Sequence, residues 1–110
     1  MLLDLSGLEN AVGQLQRAVE RAQDDRFMSS QDETTINLIR AGVIQHFEIV
    51  FELSWKFLQR WLKENRNLAD SEFPRTRREL FRFAAQEGLV SDPAAWFDYS
   101  TARNQTFHIY

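Results

Sequence analysis

The chain contains no cysteine. That removes a disulfide framework, thiolate metal sites and cysteine nucleophiles, and it fits a reducing, cytoplasmic setting. No apolar run approaches the length of a membrane span, and Asp4 follows Met1-Leu2-Leu3 where a signal peptide would continue its apolar stretch. A secreted or membrane-bound protein is therefore not expected. Histidine occurs only at His46 and His108, with no H-E-x-x-H spacing, so the sequence offers no metal site. There is no internal repeat, low-complexity tract or glycine-rich phosphate loop. Nothing alternates apolar and polar residues over the length of a strand, which leaves an all-α fold.

What is present is a single-domain length of 110 residues with fourteen Phe, Trp and Tyr side chains, a bulky core for so short a chain. The net charge of −3 is unevenly placed. Residues 1–33 hold seven acids against three arginines, whereas residues 73–110 hold four acids against five arginines. Eleven of the thirteen basic residues are Arg, the better fork for phosphate and carboxylate, so an anion site belongs in the last third. Most of the other charges read as solvated helix faces.

Leu5, Leu8, Val12, Leu15, Val19 and Ala22 recur every three or four residues and predict a first helix over 3–23 in an antiparallel hairpin. Residues 24–33 lose this period and read as a loop. A long helix follows from about Thr34 to about Asn65. Between Val43 and Leu62 its apolar residues cover most of the circumference and leave a thin polar stripe that includes Glu48, Glu52 and Lys56. Glu52 and Lys56 have the spacing of an i, i+4 ion pair, and Glu48 with Glu52 that of a carboxylate pair. So much apolar surface, Phe47, Val50, Phe51 and Trp55 included, exceeds what one small subunit covers and predicts a homodimer. Phe73-Pro74 leads into a third helix over 75–86, closed by Gly88 as a left-handed cap. Asp92-Pro93 restarts the chain as a fourth helix running to about Arg103.

Three groups of residues could carry chemistry. Arg75, Arg77, Arg78 and Arg82 crowd one helix start. Arg75, Arg78 and Arg82 share an edge, either as a solvated face or as contacts to phosphate and RNA. His46 interrupts an apolar run and reads as a packed side chain. The segment Arg103-Asn104-Gln105-Thr106-Phe107-His108-Ile109-Tyr110 combines a phosphate-binding guanidinium, an imidazole that moves protons near neutrality and a phenol. On an unbroken helix positions 103 and 108 stand about 140° apart. They converge only if the helix opens between them, which Asn104 and Thr106 would favour, or if two subunits contribute.

These last residues fit an R-x4-H-x-Y pattern, and Phe47-Glu48-Ile49-Val50-Phe51-Glu52-Leu53-Ser54-Trp55-Lys56 fits an F-E-x-x-F-E-L-x-W-K helix. Together with Phe73-Pro74-Arg75, Glu87-Gly88-Leu89-Val90-Ser91-Asp92 and Trp96, they make residues 3–110 resemble the nucleotidyltransferase substrate-binding proteins of the HEPN superfamily, a group that includes the HepT toxins. The resemblance implies a single HEPN-like domain over 1–110, an antiparallel bundle of four to five helices that dimerises. It also implies a minimal nucleotidyltransferase as partner. The resemblance also implies a further helix after the R-x4-H-x-Y segment, which the sequence ending at Tyr110 is expected to lack, and His46 stands where family members often carry Arg.

In HepT-like members the same resemblance implies a toxin–antitoxin pair and an endoribonuclease that needs neither metal nor other cofactor. Arg103 would bind phosphate, His108 would act as acid and base, and Asn104 would shape the site. Transfer of AMP from the partner to Tyr110 would silence it. The rival expectation is a non-catalytic subunit that holds a nucleotide or other substrate for the separate nucleotidyltransferase.

Overall fold

The computed structural model describes the backbone of residues 4–109 and the side chains of residues 4–105. Five helices form in the order α1 (Ser6–Ala22), α2 (Asp25–Ser29), α3 (Glu33–Asn65), α4 (Arg77–Gln86) and α5 (Pro93–Ile109). The described residues contain no strand, and none of their helices is long and apolar enough to cross a membrane. The all-α expectation therefore stands. The chain divides into two compact units, one over residues 4–50 and one from Phe51 onward, and α3 contributes to both.

In the first unit, short polar side chains set where the helices start. Asp4 Oδ1 accepts from Ser6 N at 2.9 Å ahead of α1. Asp24 caps α2 by accepting from Phe27 N at 3.0 Å, and Asp32 Oδ1 accepts from Thr35 N at 2.8 Å at the head of α3. The segment expected to be a loop over 24–33 thus holds a five-residue helix. The Arg21 guanidinium sits 4.7 Å from the centre of the Phe27 ring and ties α2 to the end of α1. Little of this unit is dry: Ala11 is buried, while Leu38 is 68% and Ile49 43% exposed.

The second unit holds the aromatic core. Phe51, Leu62, Leu80, Phe81 and Ala84 are essentially inaccessible. Phe81 stacks on Trp96 with ring centres 5.1 Å apart, Phe51 lies 6.0 Å from Phe81, and Tyr99 meets the edge of Trp96 at 5.4 Å. Such pairs add about 0.5–1.5 kcal/mol each beyond area burial. Phe51, counted in the sequence among side chains awaiting a partner, is covered by its own subunit.

The two ends of the α4–α5 connection form as their residues demand. Gly88 adopts φ +78°, Leu89 N donates to Ala84 O at 2.8 Å and Gly88 N to Ala85 O at 3.1 Å, a Schellman closure. Asp92 Oδ1 accepts from Ala94 N at 3.1 Å, and Pro93 opens α5. That helix then runs unbroken to Ile109, well past Arg103, so Asn104 and Thr106 do not open it.

Candidate anion site around Glu52

The second part of α3 places Glu52 and Trp55 three residues apart on one helical face. The Trp55 indole N–H donates to Glu52 Oε2 at 2.8 Å, which fixes the carboxylate plane. Its other oxygen, Oε1, receives two guanidiniums. Arg77, the first residue of α4, approaches at 3.1 Å, and Arg103 from α5 approaches at 3.3 Å. Three helices of the second unit therefore converge on a single carboxylate.

Burial raises the Glu52 carboxyl, but the Trp55 hydrogen bond and the charges of Arg77 and Arg103 outweigh it and hold the group below its ordinary 4.5. It is an anion at neutral pH. Two guanidiniums thus share one carboxylate oxygen. The side chains of Arg103, Glu52 and Arg77 keep 24%, 28% and 31% of their surface, so the cluster is reachable from solvent. Arg77 also lies over the Trp55 ring at 4.8 Å and beside the Phe51 ring at 5.3 Å.

Two sequence expectations change here. Glu52 turns to Arg77 and Arg103 rather than to Lys56, which makes no ion pair among the described residues. Arg77, which spacing left off the edge shared by Arg75, Arg78 and Arg82, reaches α3. It is the site residue that the sequence reading missed. The available signal was an acid and a tryptophan one turn apart inside an apolar run, since a buried-edge carboxylate needs a cation from somewhere.

The remaining arginines in and just before α4 are spread apart. Arg78 and Arg82 lie over the Phe97 ring at 4.4 and 5.7 Å and pin α5 against α4. Arg75 borders a separate open cavity of about 520 Å³, with Lys63, Arg66, Asp70, Phe73 and Pro74. Arg66 there pairs with Glu87, and Lys63 sits 5.7 Å from the Phe73 ring centre. Among the described residues no group of three or more His, Asp or Glu gathers as metal ligands. Asn104 is exposed and His46 half-buried. The His108 side chain and Tyr110 lie outside the described residues.

Comparison with known proteins places the fold in a family. The family described as "Nucleotidyltransferase substrate binding protein like" matches residues 3–110. A protein of Haemophilus influenzae named "Probable ribonuclease HepT" is 32% identical over 108 residues, covering 98% of this chain and 74% of that protein. A solved structure from Haemophilus influenzae, described as having the fold of a substrate-binding domain of a nucleotidyltransferase, superposes with a TM-score of 0.89 at 31% identity. That match covers 97% of this chain and 79% of the other. Fold and family match agree, and the chain belongs to the nucleotidyltransferase substrate-binding protein family of the HEPN superfamily.

Proposed function

We propose that this chain is the substrate-binding subunit of a two-component nucleotidyltransferase, and that it holds a phosphate-bearing ligand, a nucleotide or RNA, at Arg103. One observation carries the reading: the Arg103 guanidinium is oriented by Glu52 at 3.3 Å yet keeps a quarter of its surface, with a second guanidinium on the same carboxylate oxygen. A guanidinium so held loses little freedom when it grips a phosphate in a two-point fork. The solved relative's description as a substrate-binding domain supports the same role. The partner is a minimal nucleotidyltransferase that supplies the transfer chemistry. The active unit is a homodimer, supported by the exposure of Leu38 and Ile49 on α3. Titration of the purified chain with ATP tests the reading, with Arg103→Gln expected to bind at least about tenfold more weakly. Equal affinity of the two proteins refutes it.

A second reading is favoured by the relative named a probable ribonuclease and by the R-x4-H-x-Y residues. Here His108 takes the proton of a ribose 2′-hydroxyl, the oxygen attacks the adjacent phosphorus, and the 5′-oxygen leaves with a proton. The products are a 2′,3′-cyclic phosphate and a 5′-hydroxyl end. Arg103 offsets the charge growing on the phosphate, while Arg75, Arg78 and Arg82 guide the RNA backbone. Because α5 is unbroken, positions 103 and 108 stand about 140° apart, and a dimer cleft is the route by which they meet. AMP on Tyr110 would add bulk and negative charge beside that cleft. RNA cleavage in EDTA that is lost in His108→Ala would establish this reading. No cleavage, together with retained ATP binding, leaves the substrate-binding role alone. Intact mass after co-expression with the nucleotidyltransferase reads the modification of Tyr110 directly.

A further inference from the structure

Arg103 alone would satisfy Glu52. A structural ion pair needs one cation, and Glu52 Oε2 is already occupied by the Trp55 indole. The structure nevertheless brings a second guanidinium, from a residue twenty-five positions away on another helix, to the same oxygen that Arg103 uses. We propose that Arg77 is a second anion-binding residue of this site, and that it closes with Arg103 on one phosphate group of a nucleotide or an RNA strand. This rests on the reading of Arg103 as a phosphate-binding residue.

The manner in which Arg77 is held supports the assignment. Its guanidinium carbon lies over two rings, 4.8 Å from the Trp55 ring centre and 5.3 Å from that of Phe51. Attraction to aromatic faces holds a guanidinium in place without an oxygen acceptor, so its N–H donors remain to serve anions. One edge nitrogen reaches Glu52 at 3.1 Å, and the side chain retains 31% of its surface for a ligand. Because Arg77 and Arg103 both reach Glu52 Oε1, their terminal nitrogens lie within the span of one phosphate group. Arg78 and Arg82 also rest on a ring, that of Phe97, but among the described residues the guanidiniums on Glu52 are those of Arg77 and Arg103. The helix N-terminus is not part of the proposal: Thr76 Oγ1 and Glu79 already cap α4.

The test uses the full chain and two probes, ATP and a short 2′-O-methyl RNA that offers phosphates but no 2′-hydroxyl to cleave. Wild type is compared with Arg77→Gln, Arg77→Lys, Arg103→Gln and, as a charge control, Arg60→Gln at an exposed surface pair. For whichever probe binds, Arg77→Gln and Arg103→Gln are each expected to weaken binding by about tenfold or more, and Arg60→Gln to leave it unchanged. For RNA, the slope of log affinity against log salt becomes shallower by about 0.7 in Arg77→Gln, the loss of one phosphate contact. Arg77→Lys keeps the slope and still binds several-fold more weakly, since an ammonium has charge without the fork. That variant carries the test if Arg77→Gln does not fold, and wild-type affinity in it overturns the proposal. Wild-type affinity and slope in Arg77→Gln, with binding lost in Arg103→Gln, overturns this inference and leaves the role of Arg103 intact. Binding unaffected by Arg103→Gln, or no binding of either probe by wild type, overturns both.

Discussion

Replacing Glu52 with Gln removes one charge and almost no volume, so it isolates the electrostatics of the site. At about 4 Å and an effective dielectric of about 20, each guanidinium attracts the carboxylate by about 4 kcal/mol before costs are counted. Desolvation of Glu52 and repulsion between Arg77 and Arg103 take back most of that. With the three side chains each about one-quarter to one-third exposed, the net loss expected for Glu52→Gln at neutral pH is about 2 kcal/mol. For a domain of this size that lowers Tm by roughly 8–16 °C. The pH dependence has a definite sign. The Glu52 carboxyl is depressed in the folded protein, so its contribution is complete above the unfolded value near 4.5 and is lost as pH falls through the lower, folded value. Protonated Glu52 resembles Gln, and the two proteins should converge in stability in that acid range. Urea unfolding followed by far-UV circular dichroism, at fixed protein concentration and at pH steps downward from neutrality, reads both effects. A gap under about 0.5 kcal/mol at neutral pH would refute the view that charge holds the cluster. A gap that persists undiminished in acid would assign the loss to shape instead.

Three further outcomes follow from the same structure. Gly88→Ala should destabilise by about 1–2 kcal/mol, because φ +78° brings a Cβ against the backbone, and urea midpoints will show it. Asp92→Ala should cost about 1 kcal/mol by leaving the first amides of α5 without their acceptor, read in the same assay. Leu38→Glu, at a side chain 68% exposed, should leave the fold intact by circular dichroism and shift sedimentation from dimer to monomer at micromolar concentration. A wild-type monomer would refute the dimer.

The legible parts of this fold are those with local causes. A three-four apolar period placed α1, a long apolar stretch with a thin polar stripe placed α3, and a glycine and an Asp-Pro pair placed the end of α4 and the start of α5, because each signal acts within a few residues. The five residues of α2 are too short to show a period, and its cap at Asp24 was the one available sign. The site was half legible. The R-x4-H-x-Y pattern pointed to Arg103, while sorting the arginines of α4 by helical edge favoured Arg75, Arg78 and Arg82 over the one that reaches the carboxylate. Edge spacing says which side chains share a direction and nothing about what waits there. Arg77 was set by the position of Glu52 on another helix, a tertiary fact with no local trace.

Glu52 also sets a limit on how strongly the site binds. Without a carboxylate, two guanidiniums at this spacing would repel and drift apart, and a ligand would have to order both. With it, they are held ready, but an incoming phosphate meets a negative charge at the point where the two forks meet. The arrangement trades gross attraction for order. Ligands with a spread or multiple charge, such as a polyphosphate or a run of backbone phosphates, gain most from such a site, because they reach both arginines from the solvent side without displacing Glu52. A single compact anion has to compete with the carboxylate for the same nitrogens, so the geometry itself discriminates between extended phosphate ligands and inorganic phosphate.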